Sequence, residues 1–281
     1  MPSWADVFHE IDEVVNPLNA VRKKYLSLMY EYTHRNVISY YSAFLQKSGH
    51  SKASIDDNDK NAFMQAVYGL DKSRGLDLIL HTPGGNLAAT ESIVDYLKSV
   101  FGLDMRVIVP QIAMSAGTMI ALSAKEIIMG KQSNLGPIDP QFGGMSCAGV
   151  VEEFKKACDD VGQNPNLAKI WGLIIGKYHP TFLGDCRNAI KWAEKIVTTW
   201  LKENMFKDDV DKCTKVEKIV SFLSSHSETF SHQKHIHMNE LQSLCLKITP
   251  LEGLMLCTMA SRNLLLLFVK LSVYGSFVSC S

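Results

Sequence analysis

No two cysteines in this sequence have the CxxC spacing. The seven cysteines, Cys147, Cys158, Cys186, Cys213, Cys245, Cys257 and Cys280, are odd in number and scattered. That argues against a disulfide framework and a cysteine-built zinc site, and it fits reduced thiols in a cytoplasmic protein. Neither sign of charge is in excess, with 29 Lys plus Arg against 29 Asp plus Glu. Without a basic stripe the chain does not read as a nucleic-acid binder, and a near-neutral surface is compatible with self-association. The opening stretch MPSWADVFHEIDEVV lacks a basic n-region and an apolar h-region, so it does not read as a signal peptide. There is no GxGxxG for a dinucleotide, no GKS or GKT for a phosphate loop, no GxSxG elbow and no HExxH zinc helix. No internal repeat or low-complexity tract is present.

What is there is an ordinary globular balance. The 281 residues are 46% apolar and 21% charged, enough for one large domain or two small ones with a real core. Apolar residues at three-to-four spacing predict a helix over 5–32, and Asn36 to Phe44 is rich in β-branched and aromatic residues, as strands are. Residues 47–60 read as a loop, with Asp57 or Asp59 capping a helix that runs to about Tyr68. Strands are expected at 75–82, 105–110 and 126–129, alternating with helices at 87–100 and 115–123. Such alternation implies βαβ units and a largely parallel sheet with covered faces. Further helices are expected at 150–160, 166–178 and 185–206. The polar stretch 207–235 reads as a loop holding a helix, and 238–250 as a short αβ element.

Two features fall at the C-terminal ends of neighbouring strands, where α/β sheets place ligands. The first is His81-Thr-Pro-Gly-Gly-Asn86. Its glycines permit positive φ and a close backbone approach, so that amides can face a bound group. The second is Ala113-Met-Ser-Ala-Gly-Thr118, in which Ser115 opens a helix of small residues. A helix N-terminus offers unpaired N–H groups and a positive dipole end, which suit a developing oxyanion beside a serine hydroxyl. Taken singly, Pro-Gly-Gly is also an ordinary turn and Ser115 an ordinary helix cap. One βα unit apart, they form a candidate acyl-transfer site.

The run GLDLILHTPGGNLAATESIVDYLKSVF, followed by MRVIVPQIAMSAGTMIALSAKEIIMGKQSNLGPIDPQFGG, resembles the serine dehydrogenase proteinases. That family belongs to the ClpP/crotonase superfamily and is related to signal peptide peptidase A. The resemblance runs from about Arg35 to Glu252 and includes RNVISYYSAF, EFKKA, KYHPTFLGDC and a His-rich stretch before LKITPLE. It implies an α/β fold of ClpP/crotonase-like ββα units, with helical N-terminal and C-terminal additions. The expected domains are a helical segment at 1–34, a peptidase domain at 35–252 and an atypical apolar tail at 253–281. It further implies Ser115 as nucleophile, the amides of Gly85 and Ala116 as oxyanion hole, and Gly84, Gly136 and Pro137 beside the substrate. No cofactor or metal is implied. The expected partners are a peptide or protein substrate and further copies of the chain.

The resemblance leaves the general base open. The stretch 116–145, where ClpP carries a histidine, holds none. Asp139 lies near that position, but a carboxylate with a pKa of about 4 is a poor base for a serine hydroxyl. A Ser-Lys dyad like that of signal peptide peptidases points to Lys177 in Gly176-Lys-Tyr-His-Pro180, with His179, Lys155 and Lys156 as alternatives. A lysine serves once burial lowers its pKa toward neutrality. His226, His232, His235 and His237 cluster locally without a metal-site pattern, and Asp56, Asp57 and Asp59 begin an EF-hand-like run that lacks its glycine and glutamate. Leu264 to Cys280 is apolar but interrupted by Lys270. It reads as a buried or oligomer-contacting segment, a tail anchor or an altered C-terminus. The competing functions are a catalytically inactive scaffold or peptide binder of the same fold, and acyl-CoA chemistry of the crotonase type.

Overall fold

The computed structural model describes residues 17–45, 53–255 and 277–280. The first elements are α1 (Pro17–Thr33), β1 (Asn36–Tyr41), α2 (Asp57–Val67), β2 (Leu76–His81), α3 (Leu87–Phe101), β3 (Met105–Val109), β4 (Ile112–Ala113), α4 (Ala116–Leu122) and β5 (Glu126–Met129). They are followed by β6 (Asn134–Leu135), the hairpin β7 (Gln141–Phe142) and β8 (Met145–Ser146), α5 (Cys147–Gln163), α6 (Ala168–Ile175), α7 (Phe182–Glu203) and α8 (Lys212–Ser224). After these come β9 (Ile236–His237), a short helix Met238–Ser243, β10 (Ile248–Pro250), a short helix Leu251–Met255 and β11 (Phe277–Cys280).

The main sheet has the order β10-β5-β3-β2-β1-β11. All neighbours are parallel except β1 with β11. Between β1 and β2, β2 and β3, and β3 and β5, a helix (α2, α3 and α4 in turn) returns the chain to the same end of the sheet. Strand alternation sorts the side chains into two cores. Leu78, Leu80, Val107, Val109, Ile127 and Met129 point into the larger one. That core is filled by α2, α3, α4, α7 and α8 through residues such as Phe63, Ile93, Met119, Val197 and Ile219. Ile79, Ile108 and Ile128 point to the opposite face, where Tyr25 and Leu26 of α1 and Leu251 cover them. Burial on both faces is why these strands read as unbroken apolar runs rather than as alternating ones.

Asp77 in β2 is a fully buried carboxylate. Both its oxygens accept from Arg106, at 2.8 and 2.6 Å, and Arg35 donates at 2.7 Å. Three charge-assisted bonds satisfy it. The cluster also includes Asp104, Lys125 and Glu126 and lies at the N-terminal ends of the strands, away from the glycine turn.

The parallel α/β architecture agrees with the ClpP/crotonase-like expectation. Several elements differ in detail. The first strand stops at Tyr41 rather than Phe44, and the expected helix 166–178 is a 3₁₀ turn (Pro165–Leu167) plus α6, ending before Lys177. The small sheet β4-β6-β9 and the β7–β8 hairpin were not anticipated. Gly143 and Gly144 close the hairpin with φ of 57° and 81°. Positive φ at both turn positions matches a two-residue turn whose twist suits antiparallel strands. Residues 5–16, 46–52 and 256–276, which carry parts of the expected first helix, loop and apolar tail, lie outside the described residues. Among the described residues no helix is long and apolar enough to cross a membrane.

Candidate active site

Beyond His81, Thr82 makes a parallel bridge with Ala113, its N–H donating to Ile112 and its carbonyl accepting from Met114. This pins the glycine turn against the segment that delivers Ser115. Ile55 runs along the other side of the turn. Its N–H donates to Gly84 O at 2.8 Å and its carbonyl accepts from Asn86 N–H at 2.9 Å. Peptide groups alternate in extended backbone, so the intervening N–H of Gly85 points away from Ile55, toward the cleft. It finds no acceptor among the described residues, and neither does the N–H of Ala116, the first residue of α4.

Both glycines are sterically required. Gly84 has φ 102°, and a Cβ there would lie 2.8 Å from Met114 O and from Ser115 Cβ. A Cβ at Gly85 would lie 2.3 Å from the backbone N and O of Ile55. Gly85 therefore serves close approach, while Gly84 supplies the positive φ. Gly117 fills the same kind of need in α4, where a Cβ would come within 2.5 Å of Thr82 Cγ2.

Ser115 precedes α4 with φ 52° and ψ −117°, and its side chain caps nothing. A non-glycine residue in this region is strained by about 1–3 kcal/mol, and such strain concentrates at sites that must present a side chain. The expectation of an ordinary N-cap therefore does not hold: the hydroxyl is left for the cleft. Asn86 makes the contrast, since it caps α3 in the usual way through Ala89 N–H.

The opposite wall comes from the segment after β6. Thr118 Oγ1 donates to Ala113 O at 2.8 Å and accepts from Gly136 N–H at 2.9 Å, tying this segment to α4. Gly136 sits against Met114, where a Cβ would come within 2.4 Å of its Cε. Gly136 and Pro137 are buried behind that contact, and Ile138, Pro140, Gln141 and Phe142 carry the wall instead. Asp139 is 1% exposed. One of its oxygens accepts from Ser146 Oγ at 2.9 Å, and the other lies 2.6 Å from His232 Nδ1.

These parts meet in one cleft of about 870 Å³, lined by Gly84, Gly85, Ser115, Ala116, Ile138 and His232 among others. Ser115 and the two expected oxyanion amides are thus brought together, with Gly84 beside them. Lys177 is not. It is exposed after the end of α6 and does not line the cleft. His179, Lys155 and Lys156 are exposed as well and also do not line it. Among the described residues no lysine or arginine lines the cleft. His232 is the functional candidate that sequence reasoning missed. The His-rich stretch was visible, but nothing local ties it to Asp139, 93 positions earlier. His235 and His237 are exposed, and no group of three or more metal-ligating side chains forms among the described residues.

In comparisons with known proteins, the model of the ClpP-like SDH-type serine proteinase family matches residues 50–252. Two uncharacterized proteins of Methanocaldococcus jannaschii are similar to the chain. One is 38% identical over 113 residues, covering 40% of this chain and 39% of its own length. The other is 30% identical over 194 residues, covering 69% of this chain and 59% of its own. The chain therefore spans between two fifths and three fifths of the curated relatives it matches. With a match over most of its length, a parallel sheet of the ClpP type and a serine at the head of the central helix, the chain belongs to the ClpP-like SDH-type serine proteinases.

Proposed function

We propose that the chain is a serine peptidase in which Ser115 is the nucleophile, His232 the general base and Asp139 the group that orients it. The observation that carries this reading is the 2.6 Å contact between His232 Nδ1 and the buried Asp139, in the wall of the cleft that Ser115 lines. An ionised carboxylate can only accept, so Nδ1 carries the proton and Nε2 is left basic. The Ser-Lys arrangement expected from the sequence would need its lysine desolvated beside the serine, and Lys177 is exposed away from the cleft.

The chemistry follows from these positions. Ser115 Oγ attacks the scissile carbonyl while His232 Nε2 takes its proton. The carbonyl oxygen, now an oxyanion, accepts from the Gly85 and Ala116 N–H groups, helped by the positive end of α4. Asp139 stabilises the imidazolium without taking its proton. His232 passes that proton to the leaving amine, and an acyl-enzyme remains on Ser115. Water then attacks the ester, losing a proton to His232. The carbonyl re-forms, Ser115 leaves with the proton, and the product departs as a carboxylic acid that loses its remaining proton to water.

The test is cleavage of casein and of short peptides by the wild type, Ser115→Ala, His232→Ala and Lys177→Met. The reading expects loss in the first two variants and retention in the third. Wild-type turnover by Ser115→Ala contradicts it, and so does loss in Lys177→Met with retention in His232→Ala.

A further inference from the structure

The Gly85 amide takes its direction from a brace, Ile55, that is itself held from the far side. The three atoms nearest to a Cβ placed at Gly85 all belong to the Ile55 backbone. A shift of Ile55 in so close a contact carries Gly85 with it. Both flanks of the brace are tied to the end of β1. Before it, Ala53 O accepts from Ser42 Oγ at 2.5 Å. After it, the N–H of Asp56 donates to Asp59 Oδ2 at 2.9 Å, and the same oxygen accepts from the Tyr40 hydroxyl at 3.1 Å. Tyr40 and Ser42 stand two apart in extended chain, so both side chains reach the same face. The Tyr40 ring is 3% exposed and stacked on Phe63 of α2, with centroids 5.6 Å apart. Its hydroxyl therefore has a fixed place from which to hold the carboxylate.

Part of this arrangement is ordinary helix capping. Asp56 and Asp59 form a capping box at the start of α2, which needs only an acceptor at the third helical position. It does not need a half-buried one. Asp59 has no cation partner among the described residues, and burial raises its pKa. A carboxylate desolvated in this way is accounted for by its second donor, Tyr40, and not by the cap.

We infer that Tyr40 and Asp59 are positioning residues for the oxyanion hole: the hydroxyl fixes the carboxylate, the carboxylate fixes the Asp56 peptide, and Ile55 thereby holds the Gly85 N–H in line with the oxyanion. The inference rests on the peptidase reading. Neither side chain lines the cleft, so both act through the backbone. A donor out of line weakens the transition state and not the bound substrate, so the loss falls on kcat and leaves KM unchanged.

The experiment is steady-state hydrolysis of a fluorogenic peptide by the full chain, by Tyr40→Phe, Asp59→Asn and Asp59→Leu, and by the double variant Tyr40→Phe/Asp59→Leu, each well below its unfolding midpoint. Asp59→Leu is expected to lower kcat by about 10- to 100-fold with KM unchanged. Tyr40→Phe, which keeps the ring stack, should lower it by about 3- to 10-fold. Asp59→Asn, whose amide oxygen accepts from the same two donors, should restore kcat to within about threefold of the wild type. The double variant should lose less than the product of the two single losses, because both break one chain. Wild-type kcat in Tyr40→Phe and Asp59→Leu overturns the inference and leaves the peptidase reading standing. So does a loss that appears in KM alone, or an Asp59→Asn variant no better than Asp59→Leu. If Asp59→Leu does not fold, wild-type kcat in Tyr40→Phe overturns it alone. A wild type that neither cleaves peptides nor takes a fluorophosphonate label at Ser115 overturns the peptidase reading, and the inference with it.

Discussion

His232 and Asp139 stand 93 residues apart in the chain, yet Nδ1 of one lies 2.6 Å from Oδ1 of the other. The carboxylate that receives this contact is buried and also held by Ser146, the N-cap of α5. A buried carboxylate with two hydrogen-bonded partners has one preferred orientation, and it passes that orientation to the imidazole.

Asp139→Asn should therefore be far more harmful than its small change in shape suggests. The amide can donate to Nδ1 and stabilise the tautomer with the proton on Nε2, where it cannot accept from Ser115. Turnover is expected to fall by about three to four orders of magnitude, with little change in KM. Ser146→Ala, which removes only the second bond to Asp139, should cost about tenfold or less. Steady-state kinetics on both variants checks this; equal effects would mean that Asp139 does not work through His232.

Gly85 gives a steric prediction. Alanine at this position places a Cβ 2.3 Å from Ile55 backbone atoms, so the turn must move. In the proposed mechanism the same peptide unit supplies an oxyanion donor, so Gly85→Ala is expected to lower kcat by roughly 10²–10³-fold. Gly143→Ala is the control, since nothing lies within 4 Å of a Cβ there, although its positive φ costs some stability. Peptide hydrolysis by the two variants separates the cases.

The fold was readable to the extent that it is local. The apolar runs 76–81, 105–109 and 126–129 are strands because both faces are buried, and the helices between them show their own periodicity. Ser115 and Ala116 stand in one short motif and Gly85 in another one βα unit earlier, so each could be named as a candidate from local pattern alone. The proposed base, His232, could not, because it sits in a loop beyond α8 that comes back beside Asp139 while β9 pairs with β6. Asp139 falls near the place of the ClpP histidine, and taken alone in the sequence it reads only as a poor base. A carboxylate that orients a distant imidazole leaves no spacing in the sequence, only a tertiary contact.

His81 governs a stability effect independent of catalysis. It is 1% exposed, stacked on Tyr41 with the Phe44 ring tilted against it, and neither ring nitrogen makes a well-formed hydrogen bond among the described residues. Burial pushes its pKa down to about 4, against a weaker opposing pull from the Ile112 backbone. The unfolded chain protonates near its ordinary value of about 6.5, so the folded state is favoured fully above that pH and loses ground as pH falls toward 4. The loss should reach roughly 2–3 kcal/mol. Urea unfolding between pH 7.5 and 4.5 should show this slope, and His81→Phe should flatten it.

The Asp77 cluster predicts a stability defect without a chemical one. Asp77→Ala leaves Arg35 and Arg106, which are 14% and 18% exposed, facing each other without their shared anion. The expected cost is about 3–5 kcal/mol. Protein that remains folded should keep its kcat, because the cluster lies at the opposite ends of the strands from Ser115. Denaturation midpoints and active-site-normalised turnover check the two halves of this statement.

The central claim is that Ser115 is activated by His232. It is tested most directly by the rate of fluorophosphonate labelling, with the modified residue located by peptide mapping, in the wild type, His232→Ala and Lys177→Met. The account predicts labelling at Ser115 in the wild type, an unchanged rate in Lys177→Met, and a rate at least about 100-fold lower in His232→Ala. Labelling that survives His232→Ala but disappears in Lys177→Met, or a label on any residue other than Ser115, would contradict it.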